Sequence, residues 1–162
     1  MIDRSLALAA LLTLSACDPP WAFEANGIPP PAKCRSGPGL NRHVVLTFYR
    51  RALIDKDVRG AFETFMTPGF IEHKPDVTGG TREATIVFLE GLMKELPSAR
   101  WEIVRSVADE HLVAVHARFQ PAPGAPEYAI ADFFRVENCR IVEHWDVVAA
   151  PTDKSQNPNP RT

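Results

Sequence analysis

Long hydrophobic runs are missing from this chain. The apolar stretch from Ser5 to Leu14 falls well short of the roughly 20 residues a helix needs to cross a bilayer. Charge of one sign is missing too. Eighteen Lys and Arg against 20 Asp and Glu leave a net charge of −2, with no basic run, so a nucleic-acid partner is not expected. The one glycine doublet, Gly79-Gly80, lacks the Lys-Ser/Thr that follows in a phosphate loop. Neither Ser98 nor Ser106 sits in the G-x-S-x-G setting of a nucleophile elbow. The pairs Glu72-His73 and Glu143-His144 have no zinc-type spacing. The sequence therefore predicts neither a metal nor a cofactor.

Cysteine is scarce, and its three positions are informative. Arg4 followed by the short apolar run reads as a signal-peptide core, and Leu14-Ser15-Ala16-Cys17 resembles the bacterial lipobox. In such signals the cysteine becomes the lipidated first residue. Residues 1–16 are thus expected to be a lipoprotein signal, Cys17 the lipidation site, and the cell envelope the location, with a lipid anchor in a membrane. An ordinary secretory signal that happens to contain Cys17 is the alternative. With Cys17 used, Cys34 and Cys139 remain, and an oxidising compartment favours a disulfide between them. Residues 17–38, rich in proline, read as a tether. Residues 151–162, polar with several prolines, read as a disordered tail. Residues 39–150 are enough for one domain with a modest core.

Inside that domain, helical spacing follows a candidate N-cap at Asn41, with Val44, Val45, Phe48, Tyr49, Ala52 and Leu53 as the apolar face. A second helix spans about Asp57 to Met66. A third is capped by Thr81, carries the stripe Val87, Phe88, Leu92 and Leu96, and stops at Pro97. Phe70 to Pro75 is a short extended piece. Four strands follow, at residues 100–108, 111–119, 127–136 and 140–149. Helices first and an antiparallel meander after make an α+β order.

The last hairpin carries most of the chemistry. Asp132, His144 and Asp146 interrupt an otherwise apolar and aromatic stretch, and register decides which of them share a face. A two-residue loop at Asn138-Cys139 pairs Asp132 with Trp145 and puts His144 on the opposite face. A three-residue loop, Glu137-Asn138-Cys139, pairs Asp132 with His144. We take the three-residue loop, a common hairpin connection, so the expected inner face is Tyr128, Ile130, Asp132, Phe134, Val142, His144, Asp146 and Val148. Ile141, Glu143 and Trp145 then fall on the outer face.

This block resembles the end of a SnoaL-like domain of the NTF2-like superfamily, where the pattern runs roughly D-x-F-R-x-x-D-G-K-I-x-E-H-W-D. Here it reads Asp132-Phe133-Phe134-Arg135, Asn138-Cys139-Arg140-Ile141 and Glu143-His144-Trp145-Asp146. The family's turn glycine is replaced by Cys139. Phe70-Ile71-Glu72-His73-Lys74-Pro75 matches an aromatic-x-x-H-x-P signature, and Phe48-Tyr49 matches an aromatic pair in the first helix. The resemblance implies the NTF2-like cone, in which three N-terminal helices pack on a curved antiparallel sheet around an internal pocket. It also implies a pocket aspartate that assists enolate chemistry.

Asp132 is accordingly the first candidate, as base when ionised or hydrogen-bond donor when neutral. A structural pair with Arg135 is the alternative. His144 is its expected partner, and His73 is placed at the pocket mouth. Asp146, His116, Phe48, Tyr49, Phe88, Phe119 and Phe134 are expected to line the pocket, although core packing would equally explain the phenylalanines. Trp145 on the outer face is a candidate contact of a homodimer. The expected ligand is a small apolar carbonyl compound, handled without cofactor by aldol cyclisation or isomerisation. A non-catalytic small-molecule-binding envelope lipoprotein is the rival, and an assembly module a third reading.

Overall fold

The computed structural model describes residue 34, residues 36–152 and residues 155–162. The expected signal, Cys17 and most of the tether lie outside the described residues. Three helices precede or interrupt a five-stranded sheet: α1 (Pro38–Tyr49), α2 (Val58–Phe65) and α3 (Arg82–Glu95), with β1 (Met66–Glu72) between α2 and α3. Strands β2 (Arg100–Ala108), β3 (Leu112–Gln120), β4 (Tyr128–Glu137) and β5 (Arg140–Ala149) complete it. Among the described residues no helix is long and apolar enough to cross a membrane.

Local chemistry explains the helix ends. Pro38 starts α1 after Gly37, because proline at the first helical position has its φ already set and no amide proton left unpaired. This moves the start ahead of the expected cap at Asn41. That residue is instead fully buried and donates its amide to the Glu110 carbonyl at 2.8 Å. A π-turn, Arg50–Ile54, continues α1. Asp57 and Thr81 cap α2 and α3 by accepting from the Gly60 and Ala84 amides. The apolar faces of α1 and α2 fill the core with Val44, Val45, Phe48, Ala61, Phe62 and Phe65. In α3 the buried positions are Thr85 and Ile86, whereas Val87 of the expected stripe is exposed.

The sheet order is β1-β5-β4-β3-β2. The expected antiparallel meander is present, and β1 adds to it in parallel alongside β5. The parallel pairing sets Glu72 opposite His144.

The hairpin corrects the expected loop. The turn has two residues, with Val136 opposite Ile141 and Glu137 opposite Arg140. Asn138 and Cys139 both have positive φ, at 48° and 58°, as a type I′ turn requires. The register then slips between Arg135 and Val136, because Val142 is an extra residue on β5. Beyond this bulge Phe134 faces His144 and Asp132 faces Asp146. The extra residue reverses the side-chain alternation. Ile141, expected outside, is therefore wholly buried in the core, while His144 still reaches the inner face.

Cys139 is also fully buried and is joined to Cys34 by a disulfide with Cα atoms 6.0 Å apart. The bond fixes the segment before α1 to the tip of the hairpin. Removing it with Cys34→Ser and Cys139→Ser is expected to lower unfolding free energy by about 2–4 kcal/mol. Replacing Cys139 by Gly instead of Ser should recover about 1 kcal/mol, since only glycine adopts positive φ without cost. Denaturant midpoints of the two double variants check this, and a less stable glycine variant would contradict the turn.

Candidate active site

Strand alternation builds the site. Along β1 and its extension, Phe70 and Glu72 are buried while Ile71 is 46% exposed and His73 41% exposed at its side chain. Glu72 and Lys74 therefore face inward, and His73 outward. On β4 and β5 the inner set is Tyr128, Ile130, Asp132, Phe134, His144, Asp146 and Val148, all of which line a cavity of about 300 Å³. Phe48, Tyr49, Phe88 and Phe119 line it as expected, joined by Leu53, Phe62, Leu89, Leu92 and Trp101. Its walls are mostly apolar and aromatic, the ordinary lining of a small-molecule pocket.

On one wall lies a continuous polar cluster. His144 Nδ1 is 2.9 and 3.0 Å from the two carboxylate oxygens of Glu72, and its Nε2 is 3.1 Å from Asp132 Oδ1. Tyr49 donates its hydroxyl to the other Asp132 oxygen at 3.1 Å. The Lys74 amide donates to Glu72 at 2.9 Å. Its ammonium donates to Asp146 at 2.7 Å. Phe134 lies against the imidazole with ring centroids 4.6 Å apart. Three carboxylates thus share the wall with one imidazole and one ammonium.

The electrostatics follow from this packing. Burial opposes the charged form of His144, but the hydrogen bonds and charges of Asp132 and Glu72 outweigh it and raise its pKa to about 9. At neutral pH the ring is an imidazolium that donates from both nitrogens. Burial, then the Asp132 carboxylate, holds the Tyr49 phenol well above its usual pKa, so it remains a donor. Burial lowers the Lys74 pKa, but its bonds to Asp146 and Asp76 more than compensate, and it stays protonated.

Two expected site residues are elsewhere. His73 lies on the outer face, stacked on Trp145 at 4.8 Å and bonded through Nε2 to Glu143 at 2.8 Å. It does not meet Asp132. His116 pairs with Ala131 on the outer side of β3, while the neighbouring Val115 and Ala117 are buried inward. Hence His116 does not line the cavity. Arg135 bonds Glu143 at 2.7 Å on the outer face, so the alternative Asp132–Arg135 pair does not form. Glu72 and Lys74 were missed. The signal was available in the alternation after Phe70, since an inward phenylalanine puts residues 72 and 74 inward and 73 outward.

The SnoaL-like domain profile matches residues 45–144, well over half the chain. The chain belongs to the SnoaL-like family. No curated protein sequence matches it. Among solved structures it resembles a SnoaL-like polyketide cyclase proposed from Jannaschia sp. CCS1, with TM-score 0.57 and 21% identity over 68% of this chain and 86% of that one. It also resembles wild-type IdmH, a proposed polyketide cyclase from Streptomyces antibioticus, with TM-score 0.56 and 20% identity over 67% and 91%. AclR from Streptomyces galilaeus, a proposed hydroxylase, is as similar, with TM-score 0.57 and 20% identity over 68% and 90%. At such identities the likeness establishes the NTF2-like fold. The fold alone does not fix the chemistry.

Stability should track the His144 proton. Its folded pKa is raised above the unfolded value of about 6.5. The contribution is therefore fully present below pH 6.5 or so and lost as pH rises through about 9. Its size is on the order of 3 kcal/mol. Denaturant midpoints between pH 6 and pH 10 should fall for the wild type. His144→Gln should be less stable at pH 6 and flatter with pH; an equally steep fall in that variant would assign the titration elsewhere.

Proposed function

We propose that the cavity binds a small, largely apolar, carbonyl-bearing compound and that Asp132 abstracts a proton α to the carbonyl. The observation that carries this reading is a carboxylate at the wall of an apolar cavity, hydrogen-bonded to an imidazole and a phenol. In the step, the α C–H bond breaks, the proton goes to an Asp132 oxygen, and the electron pair moves to the carbonyl oxygen as an enolate. The negative charge is transferred, not created. When Asp132 is neutralised, the His144 imidazolium no longer faces a carboxylate on that side, and its charge offsets the enolate together with Lys74. Returning the proton to another carbon gives isomerisation; attack of the enolate on a second carbonyl gives aldol cyclisation. Membership of a family that includes proposed polyketide cyclases supports this class of chemistry.

One observation favours a second reading, binding without turnover. Both Asp132 oxygens already accept a hydrogen bond, which leaves each one fewer lone pair to turn toward a ligand. β-Tetralone in deuterium oxide separates the two. Catalysed α-deuteration followed by NMR, cut by about a hundredfold or more in Asp132→Asn, supports the enzyme. Saturable binding with no exchange above background supports the carrier.

The same proposal places the protein at the cell envelope, anchored through lipid on Cys17. The lipobox-like Leu14-Ser15-Ala16-Cys17 suggests it. The Cys34–Cys139 disulfide supports it, because such bonds persist in oxidising compartments. Mass spectrometry of the membrane fraction should find a diacylglyceryl mass on the Cys17 peptide that disappears in Cys17→Ala. An unmodified Cys17 thiol in the wild type would refute the anchor.

A further inference from the structure

A second pocket, of about 480 Å³ and largely open to solvent, shares lining with the main cavity. Leu53 and Trp101 line both. The chamber lies between the end of the π-turn, the Pro97–Trp101 segment and Pro123. Its lining carries two cations, Lys56 and Arg100, and no acidic side chain. Among the described residues neither cation has an acidic partner within ion-pair distance. Lys56 is held by donating its ammonium to the Pro97 carbonyl at 2.6 Å, which leaves two further N–H donors. Its backbone has φ 62°, a conformation non-glycine residues seldom adopt. A π-turn beside it is a second irregularity, and both kinds of feature concentrate at functional sites.

The two chambers therefore have opposite polarity. In the main cavity the acidic side chains Glu72, Asp132 and Asp146 outnumber the basic His144 and Lys74 by three to two. The second chamber has two unbalanced positive charges. An anionic ligand group is repelled from the first and attracted to the second. We propose that the second chamber binds the anionic end of an elongated ligand, a carboxylate-sized group held by Lys56 and Arg100, while the ligand's apolar body lies past Trp101 in the main cavity. This rests on the reading of the main cavity as the ligand site. It also sets the ligand's direction, because the charged end marks the end remote from Asp132.

A matched pair of fluorescent probes tests it. Naphthylbutanoate and naphthylbutanol share an aromatic body and differ in the end group. The wild type should bind the acid about tenfold more tightly than the alcohol, and the preference should shrink as salt is raised. Lys56→Gln with Arg100→Gln should abolish the preference and leave alcohol binding unchanged, which also shows that the variant is folded. Arg100→Gln alone, on an exposed strand end, should reduce it partly and serves if the double variant does not fold. An alcohol bound as tightly as the acid, or a preference that survives both substitutions, overturns the anionic subsite while leaving the cavity reading intact. Failure of both probes to bind removes the cavity reading and the subsite with it.

Discussion

The His144 ring is the point on which the site depends. It sits on β5, between β1 and β4, and its two nitrogens reach a carboxylate on each neighbour, Glu72 and Asp132. One imidazolium thus ties three adjacent strands across the inner face of the sheet. Two buried carboxylates on this wall would repel each other and each lose its hydration. The proton on His144 resolves both costs, because it supplies an N–H donor to each carboxylate and a positive charge between them. Phe134, tilted against the imidazole with ring centroids 4.6 Å apart, adds an apolar neighbour that keeps the cluster in low dielectric, where such bonds are strongest. Tyr49, brought in from α1, bonds the second oxygen of Asp132. The first helix is thereby joined to the sheet by a polar bond as well as by its apolar face.

Two backbone features make that geometry available. The first is the bulge on β5. Without Val142 as an additional residue, the two-residue turn would carry His144 to the outer face, next to Trp145's present neighbours, and Asp132 would have no imidazole. The second is the parallel addition of β1, which delivers Glu72 to His144 from far along the chain. The turn that precedes the bulge uses a residue poorly suited to positive φ, Cys139. Its cost is offset by a disulfide that closes a long loop. Sequence, turn, bulge and site form one chain of dependence.

The element order, the helix cap at Thr81 and the strand limits of β2 and β5 were legible, because they rest on local patterns: apolar spacing, capping side chains and prolines. So was the family, from the Asp132 and His144 motifs. The hairpin register was legible only in outcome. The three-residue loop expected as a common hairpin connection would put Asp132 and His144 on one face, and the chain reaches the same end by a two-residue turn plus a bulge. A bulge has no residue signature of its own here; Val142 looks like any strand valine. Glu72 was missed for a different reason. Its partner is 72 residues away, and a parallel strand pairing leaves no mark in the local pattern. The motif pointed to His73, but alternation from the buried Phe70 selects its neighbour. His116 lies on the less apolar face of β3, a pattern that fits surface exposure as well as pocket lining, and the buried Val115 and Ala117 put it on the outer side.

The arrangement of charge bears on what reaction the site can support. A base in an apolar cavity needs its lone pairs directed at the substrate and its charge tolerated before the reaction. Asp132 satisfies the second need fully, through His144 and Tyr49, and the first only in part, since each oxygen already accepts one bond. A carboxylate oxygen has a further lone pair, so hydrogen bonding does not block proton transfer. In the proposed step the enolate would take over the negative charge beside the His144 imidazolium and the Lys74 ammonium. A cluster that conserves charge across the step needs little reorganisation, and such preorganisation is where fixed dipoles and ions lower a barrier most. The same cluster with no acidic α-proton in reach is inert. The ligand's position, set by the cavity walls and by whatever holds its far end, therefore decides between carrier and catalyst more than the strength of Asp132 does.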